Sequence, residues 1–420
     1  MNRFVGLLTG ILLVAMLTGV PAAAKVTLTF MHWEPAEFGM EESIARFEKA
    51  NPDIDVEIVT AGAGEINEKL LARLAGGLPV DVFYVHADQF LTYQRQGLLL
   101  DITDFIKNDP MLGRPDYFLP LEQRRSTVNG RWYAIGSCWV IVATYYDPQA
   151  VEEAGLRIPS LTASSYWTWK QFADMAVKLT RRKPDGTIER YGVTIPLWYV
   201  PVSSFLASNR AGFLSPDGTK CILDQPEAIE VLNALGQLQS TLKASRWGWP
   251  RDLYDGTAAI SIDGTWATSF AFANTGFPFR VAPLPVFKVP ATHAQAHYHA
   301  IYAKTKYPKE AFRLLKFLTS EDYQVDKVRR GVWLPSIRPL ITKLDELEDR
   351  NLMPRGYLRE MVFYLERAGF TVQEPPGFGE AMAPFWDNVG SIWSGEKDAK
   401  QLMDAIVPTI NALLKSKRGE

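Results

Sequence analysis

The feature that most restricts how this chain can fold is an alternation of strand and helix that begins at residue 26. Residues 26–31 (VTLTFM) form a short β-rich run, 40–50 carry Ile44 and Phe47 on one helical stripe, and Asn51-Pro52 ends that helix. Residues 54–60 then read as a second strand, 65–74 (EINEKLLARL) as a second helix stopped by Gly76-Gly77, and 80–85 (VDVFYV) as a third strand. Successive units of this kind predict an α/β fold, with a parallel or mixed sheet flanked by helices on both faces. Ligands in such sheets sit beyond the carboxyl ends of the strands. The first suspects are therefore His32, Trp33 and Glu34 after the first strand, and His86, Ala87, Asp88 and Gln89 after the third.

A second block of the same character begins with the strand-like run 139–146 (WVIVATYY) and the break at Asp147-Pro148. It continues with a helix at 168–180, a turn at Lys183-Pro184-Asp185-Gly186, a strand at 191–195 and a helix at 226–241. Two further strands, 258–262 and 280–282, flank Asp263-Gly264-Thr265-Trp266. The remainder reads as helical, most clearly at 309–317, 357–368 and 399–414. With 420 residues, 47% of them hydrophobic, the chain has material for two cores.

The N-terminus predicts the compartment. Met1-Asn2-Arg3 is a short positive start, 5–20 is almost wholly apolar, and Pro21-Ala22-Ala23-Ala24 ends in small residues of the kind signal peptidase accepts. The apolar run is interrupted by Thr9, Gly10, Thr18 and Gly19 and falls short of the ~20 residues of a spanning helix, so cleavage after Ala24 is expected. The cleavage point has no cysteine for lipid attachment, which predicts a soluble periplasmic protein. An oxidising compartment permits a disulfide between Cys138 and Cys221, and two buried thiols fit the sequence equally well. The formal charge of −2 mixes 45 basic with 47 acidic residues and has no long run of one sign, which argues against nucleic acid or anionic lipid as partner.

The order of landmarks resembles the extracellular solute-binding proteins of ATP-binding-cassette importers, the group that contains the maltose-binding protein. The matching stretches are VTLTFMHW, IARFEKANPDIDVEIV, KLLARLAGGLPVDVFYVHADQF, QGLLLDITDFI, NGRWYAIG and TYYDPQAVEEAGL. They continue with YWTWKQFADMAVKLT, KPDGTIERYGVT, DGTAAISIDGTWA, VAPLPVF and YPKEAFRLLKFLTSEDYQ. The resemblance implies a two-lobed periplasmic-binding-protein fold, each lobe an open α/β sheet, with a ligand cleft at a hinge that the chain crosses several times. Carried over, 1–24 is signal peptide, 25–137 and 268–320 are lobe one, and 138–267 and 321–420 are lobe two. The crossings are then expected near 137–141, 264–270 and 318–323. The implied partners are a carbohydrate and the membrane permease subunits of an importer, with the chain itself a monomer that needs no cofactor.

A pyranose presents an apolar face that stacks on aromatic rings and a rim of hydroxyls that asks for carboxylate, amide, Arg or His. Trp266 matches the aromatic platform near the family's hinge, and Trp386 falls on a late segment whose ring stacks on sugar in the maltose binder. Trp198 and Tyr199 resemble the second-lobe aromatic pair. Asp88, with Gln89 beside it, stands at a polar sugar contact, although Asp88 equally suits a helix N-cap. Val85 replaces an aromatic platform of the maltose binder, a departure from that specificity. Trp33 and Trp139 suit the wall of a cleft or of a core, and His32 follows the first strand. His293, His297 and His299 have spacing that admits zinc but no ligand set to complete it. His297 and His299 instead match a strand that faces the cleft, while Trp333 and Arg338 lie on or beyond a late cleft-edge loop.

The enzymatic rival is a secreted glycoside hydrolase, since aromatic platforms and carboxylates build those sites too. The sequence offers no carboxylate pair for that role, and no nucleophile elbow, Walker loop, zinc-binding helix or dinucleotide fingerprint. A glycerol phosphate ester as cargo would want converging Arg or helix N-termini, and a polyamine several carboxylates. The candidates are aromatic, amide and His in character, which favours an uncharged sugar.

Overall fold

The structure is a computed structural model that describes residues 25–162, 166–272, 275–349, 351–372 and 374–418. The expected signal peptide lies outside the described residues. Two mixed sheets carry the architecture. The first has the strand order Ile54–Thr60, Val26–His32, Val82–Val85, Gln295–Ile301, Ile135–Val140. Its first three strands run parallel, and Gln295–Ile301 runs antiparallel to both neighbours. The second has the order Ser245–Arg246, Ile188–Thr194, Ala258–Gly264, Val142–Tyr146, Arg280–Ala282, with Arg181–Arg182 pairing at its side. Here Val142–Tyr146 is the strand antiparallel to its neighbours.

Helices connect the parallel strands as the periodicity predicts. Met40–Ala50 buries Ile44 and Phe47 between the first two strands, and Ile66–Ala75 buries Ile66 and Leu70 before the third. Trp169–Leu179 shows the local chemistry most fully. The Thr168 hydroxyl accepts the Gln171 N–H at 3.2 Å while the Gln171 side chain accepts the Thr168 N–H at 2.8 Å, a reciprocal cap that satisfies two otherwise orphan donors. Phe172, Met175, Ala176 and Leu179 then fall on one face and are buried, so the cap fixes where the helix starts and the apolar stripe fixes how it packs.

The expected strand 139–146 is two strands in two sheets. Its pairing breaks at Ile141, whose carbonyl accepts the Thr265 N–H at 3.0 Å, and this is the first passage between lobes. The second passage comes later than expected. Arg280–Ala282 pairs with Val142–Tyr146, so the chain remains in the second sheet well past 268. A three-residue run carries too little pattern to show which sheet edge it will join. The Thr292 hydroxyl then bonds both the N–H and the carbonyl of Val142, at 3.0 and 2.8 Å, just before the chain rejoins the first sheet. The helix Glu321–Arg329, expected in lobe two, packs on lobe one: Asp322 accepts from Arg46 at 3.1 Å and Gln324 donates to Ser336, which bonds the Gly136 carbonyl. These are long-range polar contacts that no local pattern announces.

Cys138 and Cys221 are buried free thiols in different apolar clusters, one beneath the cleft and one in the second-lobe core. Among the described residues no helix is long and apolar enough to cross a membrane.

Candidate functional site

Where the carboxyl ends of the two sheets face each other lies a cavity of about 600 Å³. From lobe one come Trp33, Phe38, Tyr84, His86 and Asp88; from the strand Gln295–Ile301 come Gln295, Ala296 and His297. From lobe two come Trp198, Tyr199, Trp249, Trp266, Phe378 and Trp386, and the late loop adds Trp333. Six of the chain's twelve tryptophans therefore line one cavity, which concentrates flat apolar surface at a place where a core would not need it.

Trp266 is delivered by the strand Ala258–Gly264, and its ring lies over Gly264, where a Cβ would run into the indole. The Trp198 ring stands 5.9 Å from it, tilted by 45°. Trp386 packs on Phe385 at 4.8 Å while turning its exposed part to the cavity, so it anchors the helix Phe378–Asn388 and lines the site together. Asp88 caps no helix: the helical turn Ala87–Gln89 has no side-chain cap, and the Asp88 carboxylate accepts the Gln89 amide at 3.1 Å. It looks across the cavity toward Gly379, in the first turn of the facing helix.

Two buried ion pairs brace these walls. Lys327 Nζ donates to Glu34 Oε2 at 2.7 Å and to the Phe38 carbonyl at 2.6 Å, with the Tyr323 and Trp333 rings 4.9 and 5.7 Å away. Tyr323 donates to the other Glu34 oxygen at 3.2 Å, and both ionic side chains are only 1% exposed. The pair thus fixes three lining elements: the Trp33 segment, Phe38 and Trp333. On the other side Arg125 donates to Glu374 at 3.1 Å, and Glu374 accepts the Tyr199 hydroxyl at 2.6 Å, which holds that ring against the cavity.

Three of the five histidines gather around Tyr84, although only two of them are close in sequence. The Tyr84 ring is 5.0 Å from His86, 5.2 Å from His297 and 6.3 Å from His299, and the Phe30 ring lies between His32 and His299. Burial, with Lys327 adding to it, lowers His32 to about 4; burial also lowers His299 to about 3 and His297 well below its ordinary value. These imidazoles are neutral at physiological pH. His297 packs on Trp333 at 4.0 Å and Trp33 at 5.1 Å, and its Nδ1 has no hydrogen-bond partner among the described residues. Among the described residues no group of His, Cys, Asp or Glu could hold a metal ion.

Several expected site residues lie elsewhere. Trp139 is fully buried, exchanges backbone bonds with Leu334 and is not among the residues lining the cavity. His32 ends its strand on the same face as Phe30 and stacks on that ring at 5.3 Å, so it points into the lobe while Trp33 points to the cavity. His299 pairs with Tyr84 one step deeper in the sheet than His297 and has no exposed surface. Gln89 spends its amide on Asp88, and Arg338 starts a short helix whose first N–H bonds the Tyr117 carbonyl, away from the cavity. Conversely, Phe38, Tyr84, Trp249 and Phe378 line the site without having been singled out. Phe38 and Phe378 sit at helix edges, beside Gly39 and Gly377 in the left-handed conformation, a Gly-aromatic pairing that would have flagged them.

Residues 37–325 match the family model of the bacterial extracellular solute-binding proteins, and the chain belongs to that family. It is 25% identical over 362 residues to the Escherichia coli (strain K12) protein YcjN, provisionally named an ABC transporter periplasmic-binding protein, covering 80% of this chain and 79% of that one. It is 23% identical over 383 residues to the maltotriose-binding protein of Pyrococcus abyssi (strain GE5 / Orsay), covering 87% and 75%. Among solved structures, the ABC substrate-binding protein Lmo0181 from Listeria monocytogenes, in complex with cycloalternan, superposes with a TM-score of 0.78 at 21% identity, covering 94% of this chain and 99% of that one. That likeness establishes the two-lobed fold.

Proposed function

We propose that this chain is the extracytoplasmic binding component of an ATP-binding-cassette importer and that its cargo is a neutral sugar or oligosaccharide, held between the lobes without chemical change. The observation that carries this reading is the lining of the cavity: ten aromatic rings, one carboxylate from Asp88, and amide and imidazole groups from Gln295, His86 and His297. Stacked rings suit the C–H face of a pyranose, and the few polar groups suit its hydroxyls. A phosphate ester would call for cationic side chains, and neither Lys nor Arg is among the lining residues. A polyamine would call for several carboxylates, and a glycosidase for two, whereas the lining offers one. The relatives named for maltotriose and cycloalternan point the same way. Delivery to permease subunits, a periplasmic location and a monomeric state complete the reading.

Calorimetric titration of the purified protein with a panel of neutral oligosaccharides, followed by chromatography of the mixtures, tests it. Saturable binding with every sugar recovered intact is expected; release of shorter sugars would overturn the binding-only reading. In the same assay Trp266→Ala should weaken affinity roughly tenfold to a hundredfold, because losing one stacked ring removes on the order of 1 to 3 kcal/mol. Intact affinity with a loss of about 3 to 5 kcal/mol in urea unfolding would instead make Trp266 a packing residue.

A further inference from the structure

We propose that Trp247 and Trp249 form an outer sugar subsite on the lip of lobe two, so that the preferred ligand is an oligosaccharide whose chain leaves the cavity across these rings. The inference rests on the sugar-binding reading above and adds to it where the ligand extends and which residues hold the extension.

In the second sheet, Ser245–Arg246, Ile188–Thr194 and Ala258–Gly264 are adjacent and parallel, so their carboxyl ends lie side by side, about 4.8 Å apart per strand. Each is followed by tryptophan: Trp266 after the innermost, Trp198 after the middle one, Trp247 and Trp249 after the edge strand. The sheet thus sets the rings in a row that runs from the middle of the cleft to its edge. Trp266, Trp198 and Trp249 line the same cavity, so the row is continuous with the site. Exposure climbs along it, from 37% at Trp198 to 43% at Trp249 and 52% at Trp247.

The edge turn is built to hold these rings out. Arg246 donates to Asp252 at 2.8 Å and lies over the Tyr191 ring, while the other Asp252 oxygen accepts the Trp249 N–H at 2.9 Å. Between the two tryptophans a Cβ on Gly248 would run into the Asp252 carboxylate and the Thr194 methyl, so only glycine lets the turn close this tightly. Pro250 follows and starts a short helical turn. The rings meet edge to face at 4.9 Å and 82°, which leaves apolar faces toward solvent. Two neighbouring tryptophans half in water gain little from folding, and a rigid turn that displays them beside a sugar-type cleft fits a ligand that arrives from solution.

The test compares the wild-type chain with Trp247→Ala and Trp247→Tyr by calorimetric titration against neutral gluco- and manno-oligosaccharides, from the disaccharide to the longest soluble member. Wild-type affinity should rise with chain length. Trp247→Ala should bind the long members about tenfold more weakly while leaving the disaccharide unchanged, and Trp247→Tyr should keep most of the gain. Equal weakening of short and long sugars would mean that the turn only shapes the cavity, and no change with any sugar would make the lip a contact for the permease or for a second copy; either outcome overturns the subsite. Wild-type binding that ignores chain length overturns the subsite alone, whereas no binding of any sugar overturns the proposed function and the subsite with it.

Discussion

Replacing Lys327 by Met is expected to cost the fold about 3 to 5 kcal/mol, because it leaves the Glu34 carboxylate buried without its cation. The surroundings make that cost unavoidable. Glu34 and Lys327 are each 1% exposed, so water cannot take over the lost contact, and Tyr323 supplies just one hydrogen bond at 3.2 Å. Exposed pairs such as Lys400 with Asp404 or Arg313 with Asp53 differ, since solvent screens them and each is worth at most about 1 kcal/mol. Urea unfolding of wild type, Lys327→Met, Glu34→Gln and the double variant measures the coupling. The double variant should recover most of the loss, because a neutral Gln and a thioether tolerate burial together. Sugar affinity should fall in Lys327→Met as well, since the ammonium also binds the Phe38 carbonyl and lies near Trp333, both on the cavity wall. A single-variant cost below about 1 kcal/mol would show that the pair behaves as a surface contact and does not brace the site.

That pair also marks where sequence reasoning stops. Helices such as Tyr357–Ala368 and strands such as Ile54–Thr60 were legible because their periodicity is local and their ends carry turn residues or breakers. Residues delivered at the carboxyl ends of strands, Trp33, Trp198 and Trp266, were legible for the same reason: strand direction decides where the next residue emerges. Whether a residue inside a strand faces the cleft was not. His297 and His299 share one face of one strand, yet that strand runs antiparallel to its neighbour, so its beginning lies at the cleft and His299 lies a step deeper. Partners separated by 293 residues, such as Glu34 and Lys327, leave no local trace at all. The edge tryptophans of the second lobe were missed because a two-residue strand, Ser245–Arg246, has too little pattern to reveal the sheet that orders them.

Lowering the pH from about 7 to about 5 should destabilise the protein by several kcal/mol, and the buried histidines set the sign. Burial, with nearby positive charge adding to it, lowers His32 to about 4 and His293 to about 3. Burial, with other imidazoles and Lys327 adding to it, lowers His299 to about 3 and His297 well below 6.5. Each stays neutral in the folded chain while its unfolded counterpart takes up a proton below about 6.5, so the stability they contribute is complete above that pH and lost as pH falls through the window. Asp263, Glu122 and Glu360 act in the opposite sense. Burial raises Asp263 to about 7 and raises Glu122 and Glu360 as well, so each favours the folded state in acid and loses that contribution as pH rises through its folded value. The four lowered histidines outnumber the raised carboxyls, so on balance unfolding takes up protons and stability falls as pH drops from about 6 to about 4.5. Urea midpoints at about pH 7 and 5 should therefore fall steeply, and His299→Leu, which places an apolar side chain between the Phe30 and Tyr84 rings, should flatten the slope by about one proton. Equal midpoints at the two pH values would show that these imidazoles gain protons as readily folded as unfolded.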